Sequence, residues 1–96
     1  FIFVFLHYPP CSSGPHGDAA QLWDYGLVGM FEKYGVDAVF AGHDHTFERL
    51  FHNGVYYFVT GGGGAPPYKR KRASRCTSLF FGEGTHAINV EVNGKR

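Results

Sequence analysis

Two short apolar runs set the terms for what this chain can fold into. Residues 1–6, Phe-Ile-Phe-Val-Phe-Leu, and residues 36–41, Val-Asp-Ala-Val-Phe-Ala, are rich in aromatic and β-branched side chains. Runs of this kind suit strands covered on both faces, as in a parallel or mixed sheet packed by helices. Three prolines and two glycines rule out regular structure in residues 7–18. Trp23, Leu27, Met30, Phe31 and Tyr34 then recur at helical spacing, as the core face of one main helix. Asp18 can cap that helix with Gln21 at the reciprocal position, and Gly35 is its stop. Gly26 and Gly29 each cost about 1 kcal/mol relative to Ala, so the helix is interrupted or closely approached there. Strand, loop, helix, strand is a βαβ unit, whose right-handed crossover makes the two strands parallel.

Downstream, residues 47–52 and 55–60 flank Asn53-Gly54, the signature of a two-residue hairpin. Residues 78–81 and 86–92 read as short strands; in the second, Ile88, Val90 and Val92 alternate with Ala87, Asn89 and Glu91. The glycines at 61–64 allow backbone to come close to a ligand or another loop, but no Lys-Ser/Thr follows to make a nucleotide motif.

With 44% hydrophobic residues in 96, the chain is at most one small domain, and disorder is excluded. It opens inside an apolar run without Met and closes after Asn93-Gly94, a hairpin signal with no partner strand behind it, so the expectation is a fragment. A net charge of +1 offers no long-range field for nucleic acid, which is not an expected partner. Five of the nine basic residues nevertheless crowd into Lys69, Arg70, Lys71, Arg72 and Arg75, as a solvated loop, an anion-facing loop or, least favoured, a nucleic-acid patch. Cys11 and Cys76 allow one disulfide and show no metal or redox spacing. Residues 1–6 are too short to span a bilayer, so no membrane segment is expected.

The chemistry gathers where the strands end. His7 follows the first run, and Gly42-His43-Asp44-His45 follows the second, which brings three imidazoles to the carboxyl edge of one sheet, where such folds bind ligands. Neutral imidazole is a ligand for zinc, iron or manganese. Asp18 and Asp44 are the only acids near that edge, and Asp44, which would project opposite to its flanking histidines in an extended segment, reads as an acid behind the ligands or at the surface.

In order along the chain, Phe5-Leu6-His7-Tyr8-Pro9-Pro10, His16-Gly17, Phe31-Glu32-Lys33-Tyr34-Gly35-Val36-Asp37, Gly42-His43-Asp44-His45-Thr46-Phe47-Glu48-Arg49 and Val59-Thr60-Gly61-Gly62-Gly63-Gly64-Ala65 resemble the C-terminal half of a calcineurin-like metallophosphoesterase. The nearest branch is the purple acid phosphatase-like one. The resemblance runs to about Tyr68, and Lys69-Arg70-Lys71-Arg72 matches no part of the family pattern. It implies an α/β fold, the C-terminal half of a layered αββα sandwich, and two divalent or mixed-valence metal ions (Fe, Zn or Mn). It further implies that His7 and His43 hold the second metal and His45 the first, and that His16 faces the phosphate and leaving group of a phosphate-ester substrate. The missing ligands, acids among them, are expected in an absent N-terminal half of the domain, without which the fragment is a poor enzyme. The alternative is a non-catalytic piece that binds one ion or none. The resemblance leans towards an exported protein, whereas the residues themselves leave the compartment open.

Overall fold

A computed structural model describes residues 1–94, and the two apolar runs lie side by side in it. Strand β1 (Phe3–Leu6) is followed by helices α1 (Ala20–Asp24) and α2 (Leu27–Lys33) and then by β2 (Ala38–Ala41), which pairs with β1 in parallel, Leu6 opposite Ala41. The hairpin is β3 (Phe47–His52) and β4 (Val55–Thr60), turning through Asn53 and Gly54 at φ 46° and 84°, the left-handed pair that a two-residue turn requires. Strand β4 lies parallel to β2, and β5 (Thr77–Gly82) is antiparallel to β3. The five-stranded mixed sheet therefore runs β1-β2-β4-β3-β5. Among the described residues no helix is long and apolar enough to cross a membrane.

Period-two alternation divides the sheet into two faces. Val39, Leu50, Tyr57 and Val59 form the core together with Phe31, Val36, Val55 and the half-cystines Cys11 and Cys76, and Val4, Leu6, Trp23 and Leu27 pack against it. On the opposite face Phe40 stacks between Phe5 and Phe58, with ring centroids 5.1 and 5.0 Å away. Burial on both faces holds for β2, all four of whose residues are buried, but not for the edge strand β1, where Phe5 is 73% exposed.

At Gly26, whose φ of 84° lies outside the helical region, the helix is interrupted, one of the two outcomes its glycines left open. Three expectations give way here. The break turns Met30 and Tyr34 out of the expected core stripe into solvent, while Val28 and Phe31 stay buried. Asp18 is not a helix cap: Ala19 holds that position without a side-chain bond, and the Asp18 carboxylate accepts from Ser12 N, Ser74 Oγ and Arg75 N instead. Finally, residues 86–92 form no strand. A strand exists only through backbone partners. Residues 88–93 instead border, with Phe3, Phe40, Arg49 and Phe58 of the sheet, an open cavity of about 760 Å³.

Gly29 sits inside α2 with nothing within 4 Å of an added Cβ, so neither its backbone nor its surroundings require glycine. Gly29→Ala should raise stability by about 0.5 to 1 kcal/mol, whereas Gly26→Ala, at positive φ, should lower it. Urea unfolding followed by circular dichroism checks both signs.

Candidate metal centre

The parallel register of β1 and β2 ends at Leu6 opposite Ala41, so the residues that follow leave the sheet as neighbours, and Gly42 N donates to His7 O at 3.0 Å. Beyond Gly42 the chain does not stay extended. Asp44 N bonds Gly42 O at 2.8 Å and Thr46 N bonds Asp44 O at 2.9 Å, two successive three-residue turns centred on His43 and His45. His43 takes φ 68°, a conformation that costs a non-glycine residue on the order of 1 kcal/mol. Space for these turns depends on Gly61, where a Cβ would collide with the Asp44 carbonyl. The close approach offered by the glycine run is thus to another loop.

The turns bring His43 against His7, with His7 Nε2 3.2 Å from His43 Nδ1. His16 lies on the other side of His43, ring centroids 3.9 Å apart, and Tyr8 meets the same ring edge-on at 4.8 Å. The His43 imidazole titrates below the ordinary histidine range, first because it is desolvated and then because His16 and His7 would add like charge; Asp44 opposes the shift. The resulting preference for the neutral form is what ligation requires. His45 is held apart from this group: its Nδ1 lies 2.9 Å from Pro66 O, and its ring stacks on Tyr68 at 4.1 Å. Among the described residues no three His, Cys, Asp or Glu side chains converge as a ready ligand set.

Of the two places the sequence left open for Asp44, the surface is excluded, and a position behind the site residues, supporting His16, is what the structure shows. The Asp44 side chain is fully buried. One carboxylate oxygen accepts from His16 N at 3.1 Å and His16 Nδ1 at 2.6 Å, and the other from Ser12 Oγ at 2.5 Å. Glu48, also fully buried, was not a sequence candidate; it accepts from Ser13 N and Ser78 Oγ, each at 2.7 Å. Buried carboxylates persist only when hydrogen bonds replace their lost water. Asp44 and Glu48, with the half-buried Asp18, therefore act as anchors for the proline-rich loop, which Cys11 also ties to Cys76 by a disulfide spanning 65 residues. One signal for Glu48 was present in the sequence: it shares strand parity with Leu50, the innermost residue of β3.

Neither a family model nor a curated protein matches the sequence. Among solved structures, the chain is similar to GAP50, "the anchor in the inner membrane complex of Plasmodium", with 26% identity, a TM-score of 0.69, and coverage of 83% of this chain and 25% of that one. It is also similar to the purple acid phosphatase PPD1 from yellow lupin (Lupinus luteus) seeds, with 21% identity, a TM-score of 0.69, and coverage of 88% and 19%. The chain carries a purple acid phosphatase-like fold. Its mixed sheet and short helices correspond to part of such a sandwich, and the chain spans a quarter or less of the length of either structure. In this fold His7 lies just past the carboxyl end of β1, and His43 and His45 lie just past that of β2.

Truncating Asp44 would leave the Ser12 hydroxyl and the His16 ring without their acceptor. Asp44→Ala is expected to destabilise the protein by roughly 2 to 3 kcal/mol. The shift in urea midpoint measures it, and a change below 0.5 kcal/mol (an order-of-magnitude threshold for an ordinary surface site) would rule out the anchor role.

Proposed function

We propose that this chain supplies the histidine side of a metal centre that hydrolyses phosphate esters. The observation that carries the reading is the pair His7 Nε2 and His43 Nδ1, 3.2 Å apart, with the tilted His16 ring against His43 and bonded to Asp44. Two nitrogens bound to one ion at about 2.1 Å, at angles between octahedral and tetrahedral, lie about 3.0 to 3.4 Å apart, so the donor pair fits a shared cation. For His45, the bond between Nδ1 and the Pro66 carbonyl leaves Nε2 as the ligating nitrogen and sets its tautomer, the usual outer support of a metal-bound imidazole. In this reading His7 and His43 hold one ion and His45 a second.

Asp18, Asp44 and Glu48 are occupied in holding the loop. The carboxylates that balance and bridge two cations therefore come from protein outside this chain. When bound, two such ions would make hydroxide available near neutral pH and offset the charge of the phosphoryl oxygens. The chain's own part in the chemistry centres on His16. Ionised Asp44 can only accept, so His16 Nδ1 donates to it, and Nε2 remains to pass a proton to the departing ester oxygen. The Asp44 bonds to both the backbone and the ring of His16 keep that nitrogen oriented through turnover.

A second reading, a non-catalytic chain with this fold, draws on the similarity to a protein described as an anchor. Zinc or manganese titration of this chain, and p-nitrophenyl phosphate turnover by a form extended to include the missing acids, separate the two. Under the proposal His43→Ala weakens metal binding at least tenfold (~1.4 kcal/mol). His16→Ala should lower kcat about 10²- to 10⁴-fold with metal retained, and more for poor leaving groups than for nitrophenolate. An extended, acid-complete protein that neither binds metal nor turns over would leave the non-catalytic reading standing.

A further inference from the structure

The basic run at residues 69–75 is pinned rather than loosely solvated. Tyr68 N bonds His45 O at 2.8 Å, and Lys71 N and Arg72 N both bond Ser13 O, at 2.7 and 2.9 Å. Arg75 N bonds Asp18 Oδ2 at 2.8 Å, and Cys76 closes the disulfide to Cys11. The segment thus runs along the loop that carries His16. Arg72 reaches across it, its Nε donating to Pro15 O at 2.6 Å, and the Arg75 guanidinium lies 5.1 Å over the Trp23 ring. Arg70 is directed elsewhere, to Ser78 Oγ and the Phe81 ring.

Between loop and segment is an open cavity of about 580 Å³ lined by His16, Gly17, Asp18, Arg72, Ser74 and Arg75. Asp18 is the one acid in this lining, and both its oxygens are taken by Ser12 N, Ser74 Oγ and Arg75 N. Arg72, Arg75 and the His16 imidazole thus border the cavity beside a single carboxylate that already accepts three hydrogen bonds. Guanidinium groups bind phosphoryl oxygens through paired, charge-assisted hydrogen bonds, and a pinned backbone lowers the entropy cost of presenting them. His16 borders both places: its ring contacts that of His43, centroids 3.9 Å apart, and the residue also lines this cavity.

We propose that the cavity is a subsite for a second phosphoryl group, so that the preferred substrates are small molecules with more than one phosphate. One phosphoryl group would sit at His7 and His43, and another beyond the His16 ring at Arg72 and Arg75. The two-group arrangement rests on the phosphoesterase reading; the anion subsite itself does not.

The test is calorimetric titration of the full chain with inorganic tripolyphosphate, in metal-stripped buffer at fixed ionic strength. Arg72→Gln with Arg75→Gln should weaken binding about tenfold or more, the scale of losing one charge-assisted contact. Arg72→Lys with Arg75→Lys should lose less. In the unaltered chain, the Nε–H NMR signals of Arg72 and Arg75 should shift on titration, a readout that needs no variant to fold. Unchanged affinity in the glutamine variant, unmoved arginine signals, or a loss caused only by Lys69→Gln with Lys71→Gln would each overturn the subsite. Because no metal is present, arginine-dependent binding can survive even if His43→Ala leaves metal affinity untouched, and the two proposals fail separately.

Discussion

A carboxylate with no access to water sits at the centre of this structure. Asp44 is accommodated in the interior because Ser12, the His16 backbone and the His16 ring all converge on it. Each of those donors belongs to a loop that three prolines bar from regular structure, so the loop acquires its shape from the acid rather than from its own backbone ladder. Glu48 and Asp18 repeat the device at Ser13 and Ser12 of the same loop. The outcome is a rigid rim beside the sheet, with His16 fixed against His43 and the basic segment fixed against the loop.

The sheet supplies the other half of the arrangement. Parallel pairing of β1 and β2 aligns their exits, and the two tight turns after Gly42 fold the following histidines back rather than letting them run on. Burying Asp44 and presenting His43 are consequences of one backbone path. The core face carries the helices and the disulfide, while the opposite face leaves an aromatic row of Phe5, Phe40 and Phe58, with Phe5 largely exposed. The histidine-bearing edge and the exposed apolar surface thus occupy different parts of the sheet.

The strands, the hairpin and the edge that gathers histidines were legible because each rests on local pattern: apolar runs, an Asn-Gly turn, and a histidine just past a strand. Gly26 announced a possible break without saying on which side the helix would resume. Asp18 was misread for an instructive reason. The acceptor chemistry that makes Asp a good cap also serves distant donors, and Ser74 and Arg75, 56 and 57 residues away in sequence, hold it instead. Asp44 was placed only as behind the ligands or at the surface because an extended path was assumed where the chain makes two turns, and residues 86–92 were misread because alternation does not by itself provide a neighbouring strand. The pairing of Cys11 with Cys76 could not follow from a count of two.

The central claim is that one rigid edge brings His7 and His43 to a shared cation position, with His16 held beside it by Asp44. A crystal of the protein soaked in zinc, with anomalous scattering recorded at the zinc edge, tests this directly. The account predicts an anomalous peak bound by both His7 and His43, with His16 still hydrogen-bonded to Asp44. Zinc bound elsewhere with none shared by those two histidines, or His16 released from Asp44 in the bound state, would contradict it.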